Sequence, residues 1–85
     1  MQFFWTEPFK KDFKRLPENI RSKVPGALKH FSEDSRTPSL QVKKMEGGMD
    51  IWEMRLSDSY RLTFQFVEGG VLLRRVGTHD ILRTP

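Results

Sequence analysis

The spacing of apolar residues changes partway along this chain. Phe9, Phe13 and Leu16 recur at i, i+4 and i+7, one face of a helix, with Lys10, Lys11, Lys14 and Arg15 on the other. Thr6-Glu7-Pro8 before them reads as a helix start, because Thr6 can cap and proline is tolerated in the first turn. Pro17 interrupts, and Ile20, Val24, Leu28 and Phe31 mark a second helical stripe. Pro25 lies within that stripe and predicts a kink or a split, since proline removes a backbone hydrogen bond. Ser32 to Ser39 is a loop by composition. Beyond it the period falls to two. Strands are expected at 40–45, 50–56, 60–67 and 71–76, and the Gly-Gly pairs at 47–48 and 69–70 mark turns. Gln2 to Trp5 is a candidate edge strand, and a short helix is expected after Thr78.

These elements predict an α+β fold: an N-terminal strand, a helical hairpin, then a three-stranded antiparallel meander, in the order β-α-α-β-β-β. Residues 1–85 are read as one domain. The helices should cover the apolar face of the sheet. In Tyr60 to Val67, Tyr60, Leu62, Phe64 and Phe66 are expected inward, with Arg61, Thr63 and Gln65 outward. In Asp50 to Leu56, Trp52, Met54 and Leu56 take one face and Ile51, Glu53 and Arg55 the other.

The loop at 57–59 fixes the register of that hairpin. It places Arg55 opposite Arg61 and Glu53 opposite Thr63. Like charges facing each other destabilise a sheet. Either an anion such as phosphate sits between the two guanidinium groups, or Glu53 pairs with Arg55 and nothing else binds. Arg74 and Arg75 are adjacent on one strand, so strict alternation sends them to opposite faces. At most one then joins the Arg55/Arg61 surface.

Charge narrows the partners. The 85 residues carry a net charge of +4. Residues 1–49 hold ten basic and six acidic side chains, whereas 50–85 hold five of each. Such a domain favours polyanionic partners. No cysteine is present, which excludes disulfides and thiolate chemistry and fits a cytoplasmic setting. No run approaches the ~18 apolar residues of a membrane span, and the N-terminus lacks the pattern of a signal peptide. No membrane partner is therefore expected. Histidines number two, and only His79 has an acidic neighbour, Asp80. No metal-ligand spacing and no phosphate-cradling glycine loop appears, so neither metal nor cofactor is expected.

Histidine beside arginines suits cleavage of a phosphodiester by a neighbouring 2′-hydroxyl. Histidine titrates in the range useful for an acid or a base. Arginine stays charged and stabilises the phosphate as charge develops on it. Asp80 either orients His79 or caps the final turn. His30 reads as a surface residue.

The chain resembles the RelE/ParE superfamily of type II toxins. The likeness rests on Phe9 to Pro17 (FKKDFKRLP), on ALKHFSEDSRTPSL, on KKMEGGMDIWEMRLSDSYRLTF and on LLRRVGTHDIL. It implies a RelE-like fold and a small toxin neutralised by a cognate antitoxin protein. RelE-like members cleave mRNA in the ribosomal A site, which implies ribosome and mRNA as partners and a metal-independent endoribonuclease activity. Arg61 matches the arginine of the family's Y-R-L motif. Glu53 stands where RelE has a lysine, and His79 stands where RelE has an arginine, as in members that use histidine there. The late aromatic and long C-terminal helix of RelE have no counterpart up to Pro85. On this resemblance His79 is the general acid or base, Arg61 and Arg55 stabilise the phosphate, Glu53 is an alternative base or a charge-balancing partner, and Asp80 orients His79. Lys43, Lys44, Lys10, Lys11, Lys14 and Arg75 would hold RNA without reading its sequence.

Two alternatives share the fold. One is a ParE-like inhibitor of DNA gyrase. The other is a non-toxic, decayed relative that only binds its antitoxin or operator DNA.

Overall fold

The computed structural model describes residues 1–47 and 49–85. The chain opens with strand β1 (Gln2–Trp5) and helix α1 (Glu7–Arg15). Two helices follow, α2 (Glu18–Arg21) and α3 (Val24–Glu33). A 3-10 turn at Pro38–Leu40 leads to β2 (Lys43–Lys44), β3 (Trp52–Arg55), β4 (Tyr60–Val67) and β5 (Gly70–Thr78). A second 3-10 turn spans His79–Arg83.

The local signals acted as their chemistry predicts. Thr6 caps α1, its Oγ1 accepting from the Phe9 N–H at 3.3 Å. Pro25 splits the second helical stripe, and it sits in the first turn of α3, where its missing N–H costs nothing. Ile20, Val24, Leu28 and Phe31 are all buried on either side of that split.

The sheet order is β1-β5-β4-β3-β2. β1 is an edge strand and pairs parallel to β5, whereas β2 through β5 pair antiparallel. The antiparallel part therefore has four strands rather than the three of the predicted meander, because the two-residue β2 joins it. The strand expected at 40–45 is cut to that length. Pro38 starts a 3-10 turn there, and Gln41 takes a left-handed φ of 44° that no strand can hold. The strand expected at 50–56 shortens to β3 at its start because Asp50 has φ 52°.

Phe9, Leu16, Val24, Phe31, Met54, Leu62, Phe64, Val71, Leu73 and Val76 form the core between helices and sheet. Phe66, expected inward, is 50% exposed, although its ring still lies 6.1 Å from that of Phe31.

Gly70 is required where β1 meets β5. A Cβ built on it would lie 2.0 Å from the Gln2 carbonyl oxygen. Gly70→Ala should force the two strands apart and cost about 3 kcal/mol, within the range for steric overpacking. Urea unfolding checks this; an unchanged midpoint would contradict the β1–β5 register.

Candidate functional site

The face of the sheet away from the helices is built from two cross-strand rows. In the first, Lys43 pairs with Glu53, Glu53 with Thr63, and Thr63 with Arg75. In the second, Arg55 pairs with Arg61, and Arg61 with Gly77. Partners in adjacent strands share a face, so a cation, a carboxylate and two facing arginines come together. The Arg55–Arg61 and Glu53–Thr63 register is the one expected from the hairpin loop.

The two arginines are each partly compensated from within. Arg55 reaches Asp58 in the hairpin loop. Arg61 donates from Nη1 to the carbonyls of Ser57 (2.6 Å) and Tyr60 (3.0 Å). Its Nε lies 3.9 Å from Glu53 Oε1. Glu53 thus pairs with Arg61 and not with Arg55, because Asp58 has taken Arg55. Both members of the Arg61–Glu53 pair are largely buried, with side chains 15% and 11% exposed. Arg61 is therefore a fixed guanidinium, whereas Arg55 is the more open of the two.

Arg74 and Arg75 depart from strict alternation. Thr63 pairs with Arg75 but Phe64 pairs with Leu73, which leaves Arg74 as the extra residue of a β-bulge. The bulge lets both guanidinium groups reach the chain after β5. Arg74 Nε donates to Pro85 O at 3.0 Å and Arg75 Nη1 donates to Thr84 O at 3.1 Å. Arg74 also donates to Gln65 Oε1 at 2.7 Å. Arg75 forms a two-point contact with Asp12 on α1, at 2.6 and 3.3 Å. That hydrogen bond holds the Arg75 guanidinium above its usual pKa. Arg75 lies on the polar face, but its donors are committed to clamping α1 and the tail.

Asp12 also accepts from the Val76 N–H at 3.2 Å, on the edge of β5 that β1 leaves open. Asp12→Ala should remove all these bonds and cost about 2 kcal/mol, typical of hydrogen bonds to charged groups. In a domain of this size that is a fall in Tm of roughly 10 °C. Hydrogen exchange should quicken at 81–84. A Tm within 2–3 °C of wild type would contradict the clamp.

The tail turns back over the polar face. Ile81 packs on Gly77, where an added Cβ would sit 2.9 Å from Ile81 Cγ2. Thr63 Oγ1 donates to Pro85 O at 3.2 Å. Ile51 and Ile81 are buried, yet neither belongs to the main core. His79 precedes this return and follows Thr78, the cross-strand partner of Tyr60, so it stands by chain position at the end of the sheet where Arg61 pairs with Gly77. His79 is exposed and starts the 3-10 turn. That turn is capped by Thr78, whose Oγ1 accepts from the Asp80 N–H at 3.4 Å. Among the described residues no hydrogen bond joins the Asp80 and His79 side chains, so the structure gives neither role expected for Asp80.

The lysines divide. Lys43 shares the polar face with Glu53, whereas Lys44 shares the helix-side face with Trp52 and bridges Asp50 at 2.8 Å. That bridge lowers the Asp50 carboxyl pKa. Lys10, Lys11 and Lys14 are exposed on α1, and Lys10 lies 3.4 Å from Glu7. Lys11 lines a crevice with Arg15 and Arg75 beside the open edge of β5. His30 is exposed near the end of α3. Among the described residues no three His, Cys, Asp or Glu side chains cluster as metal ligands would, and no helix is long and apolar enough to cross a membrane.

No protein-family model matches the chain, and no curated protein matches it either. Solved structures do. The RelB–RelE antitoxin–toxin complex of Methanococcus jannaschii matches with a TM-score of 0.76 at 21% identity, covering 95% of both chains. The YoeB/ParE toxin of Agrobacterium tumefaciens matches with a TM-score of 0.76 at 15% identity, covering 93% of this chain and 99% of its own. The intact E. coli RelBE toxin–antitoxin complex matches with a TM-score of 0.68 at 24% identity, covering 89% of this chain and 93% of that one. The chain has the fold of the RelE/ParE superfamily.

Proposed function

We propose that this chain is the toxin of a type II toxin–antitoxin pair and acts as a ribosome-dependent mRNA endoribonuclease in the cytoplasm. One observation carries the reading: Glu53, Arg55 and Arg61 share one sheet face, and the tail that follows His79 folds back across it to Thr63. In this reading Glu53 takes the proton from an RNA 2′-hydroxyl. The 2′-oxygen attacks the adjacent phosphorus, Arg61 and Arg55 hold the nonbridging oxygens, and the bond to the 5′-oxygen breaks. His79 gives that oxygen a proton. The products are a 2′,3′-cyclic phosphate and a 5′-hydroxyl, with no net change in protons. Arg61, already fixed by two carbonyls, pays little reorganisation on binding the phosphate.

The partner proposed is an acidic or amphipathic antitoxin covering the basic face or a sheet edge, by helix-in-groove or strand addition. The M. jannaschii and E. coli structures named above, complexes of toxin with antitoxin, support a partner of this kind. Lys43, Lys10, Lys11 and Lys14 would hold ribosomal RNA through its phosphates.

Induced expression without antitoxin tests the reading. Growth should stop, and labelled amino-acid incorporation should collapse before plasmid supercoiling changes. His79→Ala, with its exposed side chain, should keep the fold, relieve the arrest in plated survivors and cut mRNA cleavage by about a hundredfold or more, the low end for loss of an acid–base group. Supercoiling lost first would favour a gyrase inhibitor instead, and unimpaired growth would favour a non-toxic binding module.

A further inference from the structure

A small crevice opens at Ile51, two residues before Glu53 in the chain, against Pro85 at the end of the tail. It is lined by Met45, Glu46, Gly47, Met49, Ile51 and Pro85, with a volume of about 270 Å³. Its walls are held by one main-chain and one side-chain hydrogen bond. The Met45 N–H donates to Ile51 O at 2.8 Å, and Gln65 Nε2 donates to Met49 O at 2.7 Å. Pro85, the wall opposite, is the residue bound by Thr63, the cross-strand partner of Glu53. Met49 is 63% exposed at the rim. We infer that this crevice is a nucleobase subsite, which seats the base of the nucleotide whose 3′-phosphate is to be cut; the inference rests on the RNA-cleaving reading above.

Three observations point to a base. The crevice lies below the ~300 Å³ at which drug-sized ligand sites begin, so it admits a flat ring and not a partner helix. Methionine sulfur and aromatic rings attract each other, and Met45 and Met49 offer two such contacts to a ring edge or face. The order along the chain also fits. Ile51 in the crevice, Glu53 and Arg55 follow at alternate positions, about 7 Å apart in extended chain. A base, its ribose hydroxyl and its 3′-phosphate succeed one another in the same order. Lys43, paired with Glu53, adds positive charge beside the ribose.

Glu46 at the rim favours certain bases. An ionised carboxylate only accepts hydrogen bonds. Adenine, cytosine and guanine present amino groups to it, whereas uracil flanks its single N–H with two carbonyls. The crevice should therefore prefer an amino-bearing base over uracil.

Methyl-labelled Met and Ile resonances of the full chain would be followed during titration with 3′-CMP, 3′-AMP, 3′-UMP and ribose 5-phosphate. The methyls of Met45, Met49 and Ile51 should shift with 3′-CMP and 3′-AMP, while Met54, buried in the main core, stays put. 3′-UMP should bind more weakly, and ribose 5-phosphate should leave the methyls unmoved. Met49→Ala should weaken 3′-CMP about fivefold, at the low end for loss of a stacking contact, with Arg55 and Arg61 side-chain shifts retained. Shifts confined to the arginines, and equal for ribose 5-phosphate, would overturn the subsite and leave the phosphate site standing. No shift with any nucleotide would overturn the subsite and the RNA reading of the face together.

Discussion

Arg61→Ala is expected to cut mRNA cleavage by about 10²–10³-fold, the usual cost of removing one fixed donor to developing charge. Arg61 is the residue for which this magnitude is warranted. Its Nη1 is bound by Ser57 O and Tyr60 O, so its position is set before substrate arrives. Arg55 lacks that support and should cost less when removed. The substitution also leaves Glu53 buried without its cation, at about 1–3 kcal/mol of stability. Folding must therefore be separated from chemistry. Arg61→Ala combined with Glu53→Gln removes both charges and should recover most of the lost Tm, with cleavage still reduced at least as far as in Arg61→Ala. Arg61→Lys should keep the fold but not full activity, because an ammonium cannot reproduce the planar fork. Cleavage within tenfold of wild type in a folded Arg61→Ala variant would contradict its assignment.

Phe31→Ala should be the most destabilising single change. The ring is fully buried and lies 5.0 Å from Phe64 and 6.4 Å from Phe3. It is the main aromatic link from α3 to the sheet. Phenylalanine-to-alanine changes in cores cost about 3–5 kcal/mol. A domain of this size holds only about 4–13 kcal/mol in all. The Tm should fall by roughly 15–30 °C, measured by circular dichroism. A fall under 5 °C would mean that α3 does not carry this packing.

The helical half was legible because its signals are local. Thr6, Pro8, Pro17 and Pro25 each act within a turn of themselves, and the apolar stripes fall on buried positions, with Phe13 half-buried. The β3–β4 register was legible because a three-residue loop leaves one pairing. Leu40 to Met45 misled, since its alternation is real but Pro38 and Gln41 set a turn that overrides it. Arg74 and Arg75 misled for a subtler reason. Buried Val71, Leu73 and Val76 are spaced by two and then by three, which is the trace of a bulge. That spacing could have revealed it.

The clamp on Asp12 and the tail bonds of Thr63 join residues 64 and 22 positions apart. No period or spacing encodes such pairs. The candidate site was legible as a set of residue types. Which of them are held, and by what, was not. Arg75 is the instructive case: it sits on the expected face, with its donors engaged by Asp12 and Thr84.

The most direct test of the central claim is a map of mRNA 5′ ends after adding the purified protein to a cell-free translation reaction. Primer extension should show cuts within A-site codons on translated mRNA. None should appear on the same mRNA without ribosomes, and none with Arg61→Ala. Uncut mRNA under active translation, with the wild-type protein folded, would contradict the account.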